Sequence, residues 1–167
     1  MSTKKALIII DAQKGFINKL TAKTLCRIKE FIKKHNKNYE LLIFTKYINH
    51  EGSNFVRSLK WRGFMNEKQT DLADGLEEFV NNKNIFVKDT YGSFVDKKLL
   101  NMLRKHKIEQ VELAGFDTEN CVLTFARDAF DRGMSVVVFK NLTASHSNSK
   151  LHKAALEIIK DNIGEVK

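Results

Sequence analysis

The stretch Ala114-Gly115-Phe116-Asp117-Thr118-Glu119-Asn120-Cys121-Val122 decides the fold, because an apolar run at 111–115 stops there and a helical pattern begins within a few residues. Thr118 is a good N-cap residue, which would put Cys121 in the first helical turn. Free backbone N–H groups and the helix dipole there favour an anion such as a thiolate. Cys121 is therefore a candidate nucleophile; the competing reading is a small buried hydrophobe.

Outward from that turn, the same alternation fills the chain. Short apolar runs at 6–10, 41–45, 85–87 and 136–139 join 111–115 as strand candidates. Between them lie helical spacings: Leu25, Ile28 and Ile32, then Leu99, Met102 and Leu103, then Val122, Phe125, Ala126 and Ala129. This rhythm predicts an α/β fold with a parallel sheet covered by helices. Gly133 is a plausible stop for the helix after Cys121, and 151–163 reads as a last helix. Residues 50–74, broken by glycines and carrying Phe55, Trp61 and Phe64, read as a partly helical excursion over the site. Cys26, midway along an amphipathic helix, reads as structural.

A chain of 167 residues with 43% hydrophobic and 29% charged residues has globular composition and the size of one domain, 1–167. Two distant cysteines without a secretory leader point to a reducing compartment, with the cytoplasm as the expected location. The apolar run before Asp11 is too short for a membrane span. A formal net charge of +9 could attract nucleic acid, membrane or acidic small molecules. The lysines are scattered over helical segments such as 23–37 and 97–107, without a nucleic-acid motif, so a solvated basic surface is the reading and no nucleic-acid or membrane partner is expected.

Ligands of an open parallel sheet sit beyond the carboxyl ends of its strands. The residues at those ends are chemically coherent: Asp11 after 6–10, Lys88 after 85–87, and Cys121 after 111–115. A carboxylate can take a thiol proton, and a lysine can keep that carboxylate ionised and stabilise developing negative charge. Each has a duller role, Asp11 as a cap and Lys88 as a surface lysine, but together they form one constellation.

These residues resemble the isochorismatase-like cysteine hydrolases, a family that includes nicotinamidases and related amidases. Leu7-Ile8-Ile9-Ile10-Asp11-Ala12-Gln13-Lys14-Gly15-Phe16 is similar to its opening strand, and Val87-Lys88-Asp89-Thr90-Tyr91-Gly92-Ser93-Phe94 to its lysine motif. Gly115 to Val122, continuing through Thr124, Asp128, Ala129 and Gly133, is similar to its nucleophile motif, and Ala144-Ser145 with His152 to its closing segment. The resemblance implies a Rossmann-like three-layer α/β/α fold with six mostly parallel strands and helices on both faces. It also implies an Asp11, Lys88, Cys121 triad, a cis Phe116-Asp117 peptide, and an oxyanion hole from the N–H groups of Asp117 and Cys121. Many members carry alanine in place of Asp117, and an acidic residue there is familiar in a subset. Gln13, Phe16, Trp61 and Tyr91 are candidate pocket residues, with core packing the competing reading for the aromatics.

The family's nicotinamidases hold a divalent metal through an Asp and two His after the second strand. This chain has Thr45-Lys46-Tyr47-Ile48-Asn49-His50-Glu51-Gly52-Ser53-Asn54-Phe55 there, without the Asp-x-His arrangement. The expectation is therefore no metal, no cofactor, and a likeness to the family's metal-free members. The implied activity is hydrolysis of a small amide-type substrate through a thioester, by a homo-oligomer, dimer or tetramer. Ether or ester hydrolysis and a non-catalytic binding protein on this fold are the alternatives. A response-regulator receiver would need an acidic cluster, which Ala12 and Lys46 deny. A thioredoxin-like protein would need Cys-x-x-Cys, which neither cysteine offers.

Overall fold

Six strands, β1 (Lys5–Ile10), β2 (Leu41–Tyr47), β3 (Ile85–Lys88), β4 (Gln110–Phe116), β5 (Ser135–Ala144) and β6 (Glu165–Val166), form one sheet in the order β3-β2-β1-β4-β5-β6, every neighbouring pair parallel. The computed structural model describes residues 3–167. Interior strands of a parallel sheet are covered on both faces and so are apolar throughout. The β1 run Ala6-Leu7-Ile8-Ile9-Ile10 is buried along its whole length, and its side chains divide by parity. Ala6, Ile8 and Ile10 join one core with Leu99, Leu103, Phe125 and Ile159, while Leu7 and Ile9 join the other with Leu25, Ile28 and Ile32.

The helices account for that division. α1 (Ala22–His35) covers one face; α4 (Lys97–Lys105), α5 (Leu123–Phe130) and α6 (Ser149–Asn162) cover the other. Two short helices, α2 (Asn54–Leu59) and α3 (Glu67–Thr70), lie in the excursion after β2 and are capped by Ser53 and Asn66, whose side chains accept the N–H groups of Val56 and Gln69. The expected three-layer architecture is present. No helix among the described residues is long and apolar enough to cross a membrane.

Three readings change. β5 continues past Phe139 to Ala144, because exposed Lys140 and Asn141 interrupt its apolar run without ending its ladder. β6 is a two-residue edge with no apolar run to mark it. Cys26 is exposed on α1, on the face away from the core, so it is not a packing residue.

The chain steps from β1 outward through β2 to β3, then returns across β1 to begin β4. The reversal therefore falls between the carboxyl ends of β1 and β4, where an open sheet leaves a crevice.

Candidate active site

Ile10 of β1 pairs with Gly115 of β4 at that reversal. Gly115 has φ of +121°, and a Cβ there would fall 2.0 Å from the Ile10 carbonyl oxygen, so only glycine lets the two strands approach. Beyond this contact the β1 chain turns at Asp11, with φ of 48°, and the β4 chain passes through a cis Phe116-Asp117 peptide. Asp11 tolerates that left-handed turn because its side chain is held locally. Its N–H donates to Thr45 Oγ1 at 3.1 Å, and Thr45 Oγ1 donates back to Asp11 Oδ1 at 2.6 Å.

Lys88 closes β3 and reaches across the end of β2, its Nζ passing 5.4 Å from the centre of the Tyr47 ring. Nζ stands 2.7 Å from Asp11 Oδ2 and donates to Thr90 O at 2.9 Å and to Cys121 Sγ at 3.3 Å. The Asp11 carboxylate lies near enough to the same sulfur to act on its titration. Lys88 thus touches both Asp11 and Cys121, and the three residues singled out from strand ends meet at one place. Burial pulls the Lys88 ammonium down, but Asp11 and the sulfur beside it more than offset this, and Lys88 is held above the usual lysine range.

The turn carrying Cys121 differs from expectation. Thr118 does not cap it: Asp117 occupies the cap position without a side-chain cap bond, and Thr118 Oγ1 instead meets His152 Nδ1 at 2.8 Å. The first turn, Thr118–Val122, is a wide π turn. The Asp117 carbonyl accepts from Asn120 at 3.2 Å and Val122 at 3.1 Å, passing over the Cys121 N–H between them. The electrostatic expectation also reverses. Burial, first, and the Asp11 charge, second, push the Cys121 thiol above the ordinary range, against a smaller downward pull from Lys88. With Cys121 only 5% exposed, desolvation outweighs the helix terminus, and the resting group is a thiol near a carboxylate.

Cys121 borders a cavity of about 360 Å³ whose other walls are Phe16, Tyr47, Phe55, Leu59, Trp61, Tyr91, Asp117, Asn120 and His146. Phe16, Trp61 and Tyr91, the aromatic pocket candidates of the sequence, border this cavity. Gln13 does not: it is fully buried, its Nε2 donating to Tyr47 O and Thr70 O at 2.8 Å each and its Oε1 accepting the Tyr47 N–H at 2.8 Å. It ties the end of β1 to β2 rather than lining the cavity. Phe55 belongs to the excursion read as lying over the site; Tyr47, Leu59, Asn120 and His146 were not singled out, although Tyr47 and His146 sit at or just beyond the carboxyl ends of β2 and β5. The Tyr47 hydroxyl is buried without a hydrogen-bond partner, and burial foremost pushes it above the usual phenol range. A larger concavity of about 1100 Å³ runs along β3 and α4 and borders Thr45 and Lys88, but no thiol lines it.

The donors at 45–55 do not fit the divalent metal of the family's nicotinamidases. Asn49 organises its own loop, donating to Trp61 O and Gly63 O and accepting from Ser53 Oγ at 2.5 Å. His50 pairs with Asp89 at 3.2 Å on the exposed surface. Among the described residues no three His, Cys, Asp or Glu side chains converge as a ligand set.

An isochorismatase domain family model matches residues 5–167. The isochorismatase family protein PncA of Bacillus subtilis is 30% identical, over 96% of this chain and 97% of its own length. The crystal structure of nicotinamidase PncA from Bacillus subtilis has a TM-score of 0.86 at 25% identity, covering 98% of this chain and 99% of that one. The pyrazinamidase/nicotinamidase of Streptococcus mutans UA159 has a TM-score of 0.83 at 26% identity, over 98% and 100%. With the model spanning all but the first residues and the architecture shared from end to end, the chain belongs to the isochorismatase family.

Proposed function

We propose that the protein is a hydrolase of a small amide-type substrate that works through a Cys121 thioester. The observation that carries this is Lys88 Nζ set between Asp11 Oδ2, at 2.7 Å, and Cys121 Sγ, at 3.3 Å, beside a cavity the sulfur borders. The nicotinamidase and pyrazinamidase activities named for its structural relatives support the amide class.

Asp11 takes the thiol proton as Sγ attacks the substrate carbonyl carbon. The oxyanion lies against the N–H groups of Asp117 and Cys121. Collapse breaks the C–N bond, and the proton held by Asp11 goes to the leaving amine. Asp11 then takes a proton from water, whose oxygen attacks the thioester; the acid leaves and the proton returns to sulfur. Lys88 stays charged throughout, holding Asp11 ionised when it must accept and steadying the sulfur when it is anionic. A thiol that rests protonated suits this cycle, because the base is already close by.

The reading includes self-association as a dimer or tetramer, for which Leu59, Val87 and Val95 are exposed apolar side chains and which light scattering tests. The chemistry is tested by screening primary amides for ammonia release with wild-type and Cys121→Ala protein. Release that depends on Cys121 is expected. Alcohol or acid released from ethers or esters with no ammonia from amides would reassign the reaction, and turnover by Cys121→Ala would end the thioester reading.

A further inference from the structure

The cavity carries a second polar pair that the proposed reaction does not use. His146 Nδ1 meets Asp117 Oδ2 at 2.5 Å, and the His146 backbone N–H donates to Asp117 Oδ1 at 2.8 Å. Asn18 Nδ2 donates to the His146 carbonyl at 2.7 Å, and the Phe16 ring packs against the imidazole at 5.3 Å, 70° from parallel. Two contacts thus hold the ring of a wall residue and two its backbone, engaging Nδ1 and leaving Nε2 without a protein partner among the described residues. Asp117 is almost wholly buried. Both of its carboxylate oxygens are turned to one histidine.

Polar groups left over on the wall can donate to a ligand. Tyr47 Oη is buried and unpartnered. His146 Nε2 carries a proton whenever the ring is charged, because Nδ1–H is directed at Asp117. Of the nearby carboxylates, Asp11 is engaged by Thr45 and Lys88 and Asp117 by His146; Glu119 Oε1 accepts from Ser145 Oγ at 2.6 Å while its Oε2 is buried without a partner, and Glu119 does not line the cavity. Aromatic walls with donors and no free wall carboxylate suit a flat apolar body ending in an acceptor. The formal charge of +9 favours an anionic one.

Resting on the amide-hydrolase reading above, we infer that the Asp117–His146 pair is a specificity device: it selects amides that carry a carboxylate at the end remote from the scissile carbonyl, bound by His146 Nε2–H. Asp117 is the positioning residue, fixing the tautomer and the ring. The hydrogen bond from Asp117 raises the His146 pKa against the opposing effect of burial, and the charges of Asp117 and Glu119 add to it. Those two acids, both in the turn after β4, are the charged groups that face the ring; Phe16 and Asn18 after β1, and Phe55 and Leu59 of α2, bring none. The preference is therefore present at low pH and lost as pH rises through the His146 titration.

The test uses 3-carbamoylbenzoate and its neutral counterpart 3-methylbenzamide. Binding to Cys121→Ser protein is measured by calorimetry at about pH 6 and about pH 9, alongside ammonia release by wild-type protein. At the lower pH the carboxylate is expected to bind about tenfold tighter or more, the scale of one charge-assisted hydrogen bond. That preference is expected to collapse at the higher pH and in a His146→Gln background; the pH arm needs no further substitution, so misfolding of the variant cannot mask the result. Equal binding of the two probes, binding of neither, or a preference indifferent to both pH and His146 overturns the inference. Preference without ammonia release sustains it while removing the hydrolysis reading; equal ammonia release from both probes does the opposite.

Discussion

The sheet buries a carboxylate beside a lysine at each of its two ends, and only one pair has the makings of chemistry. At the amino end, Glu112 Oε1 accepts from Gln110 Nε2 at 2.7 Å and Lys5 Nζ at 3.3 Å, and Oε2 accepts from Tyr39 Oη at 2.6 Å. Every partner is a donor, and neither Glu112 nor its partner Tyr39 lines a cavity described above. At the carboxyl end, Asp11 has Thr45 and Lys88, but its third neighbour is a thiol on a cavity wall. A buried ion pair is thus no mark of function by itself. What distinguishes the second site is a nucleophile whose proton the carboxylate can take and a space in which a substrate can meet it.

Substitutions at the two ends should therefore separate turnover from stability. The largest effect is expected from Cys121→Ala, which should lower kcat for ammonia release by about 10⁴-fold or more with the fold retained. Asp11→Asn, which keeps shape and removes the base, should lower kcat/KM by roughly 10²- to 10⁴-fold in the same assay. Glu112→Gln should reverse the pattern, costing about 1–3 kcal/mol in chemical denaturation because Lys5 and Tyr39 lose a charged acceptor, with kcat unchanged. Lys5→Met should cost only about 0–1 kcal/mol, since Lys5 is partly exposed and the pair is screened by solvent. A Glu112 variant that lost turnover while remaining folded would erase the distinction between the two ends.

The sheet was legible because parallel interior strands are apolar on both faces, so β1 and the end of β4 announce themselves, and Asp11, Lys88 and Cys121 follow from reading what comes next. The lost details have local causes. β6 has two residues and no run, and β5 crosses a polar interruption. Thr118 is a cap residue by type, but its hydroxyl finds His152, and the turn widens around the Asp117 carbonyl instead. Gln13 carries the chemistry of a ligand-binding side chain, yet three backbone groups claim it. His146 was within reach of the rule that picked out the triad, since it lies two residues past the end of β5; it was passed over because its partner, Asp117, is distant in sequence. The sign of the Cys121 shift depends on burial and on the nearness of Asp11, which the order of residues does not convey.

The central claim is that Cys121, Asp11 and Lys88 form one coupled unit whose proton rests on sulfur. Iodoacetamide labelling against pH, resolved at each cysteine by mass spectrometry, tests it most directly, with exposed Cys26 as the internal reference. The account predicts that Cys121 labels only at higher pH than Cys26, that Asp11→Asn moves its profile down in pH, and that Lys88→Met moves it up. Labelling of Cys121 at lower pH than Cys26, or a profile that neither substitution moves, would contradict it.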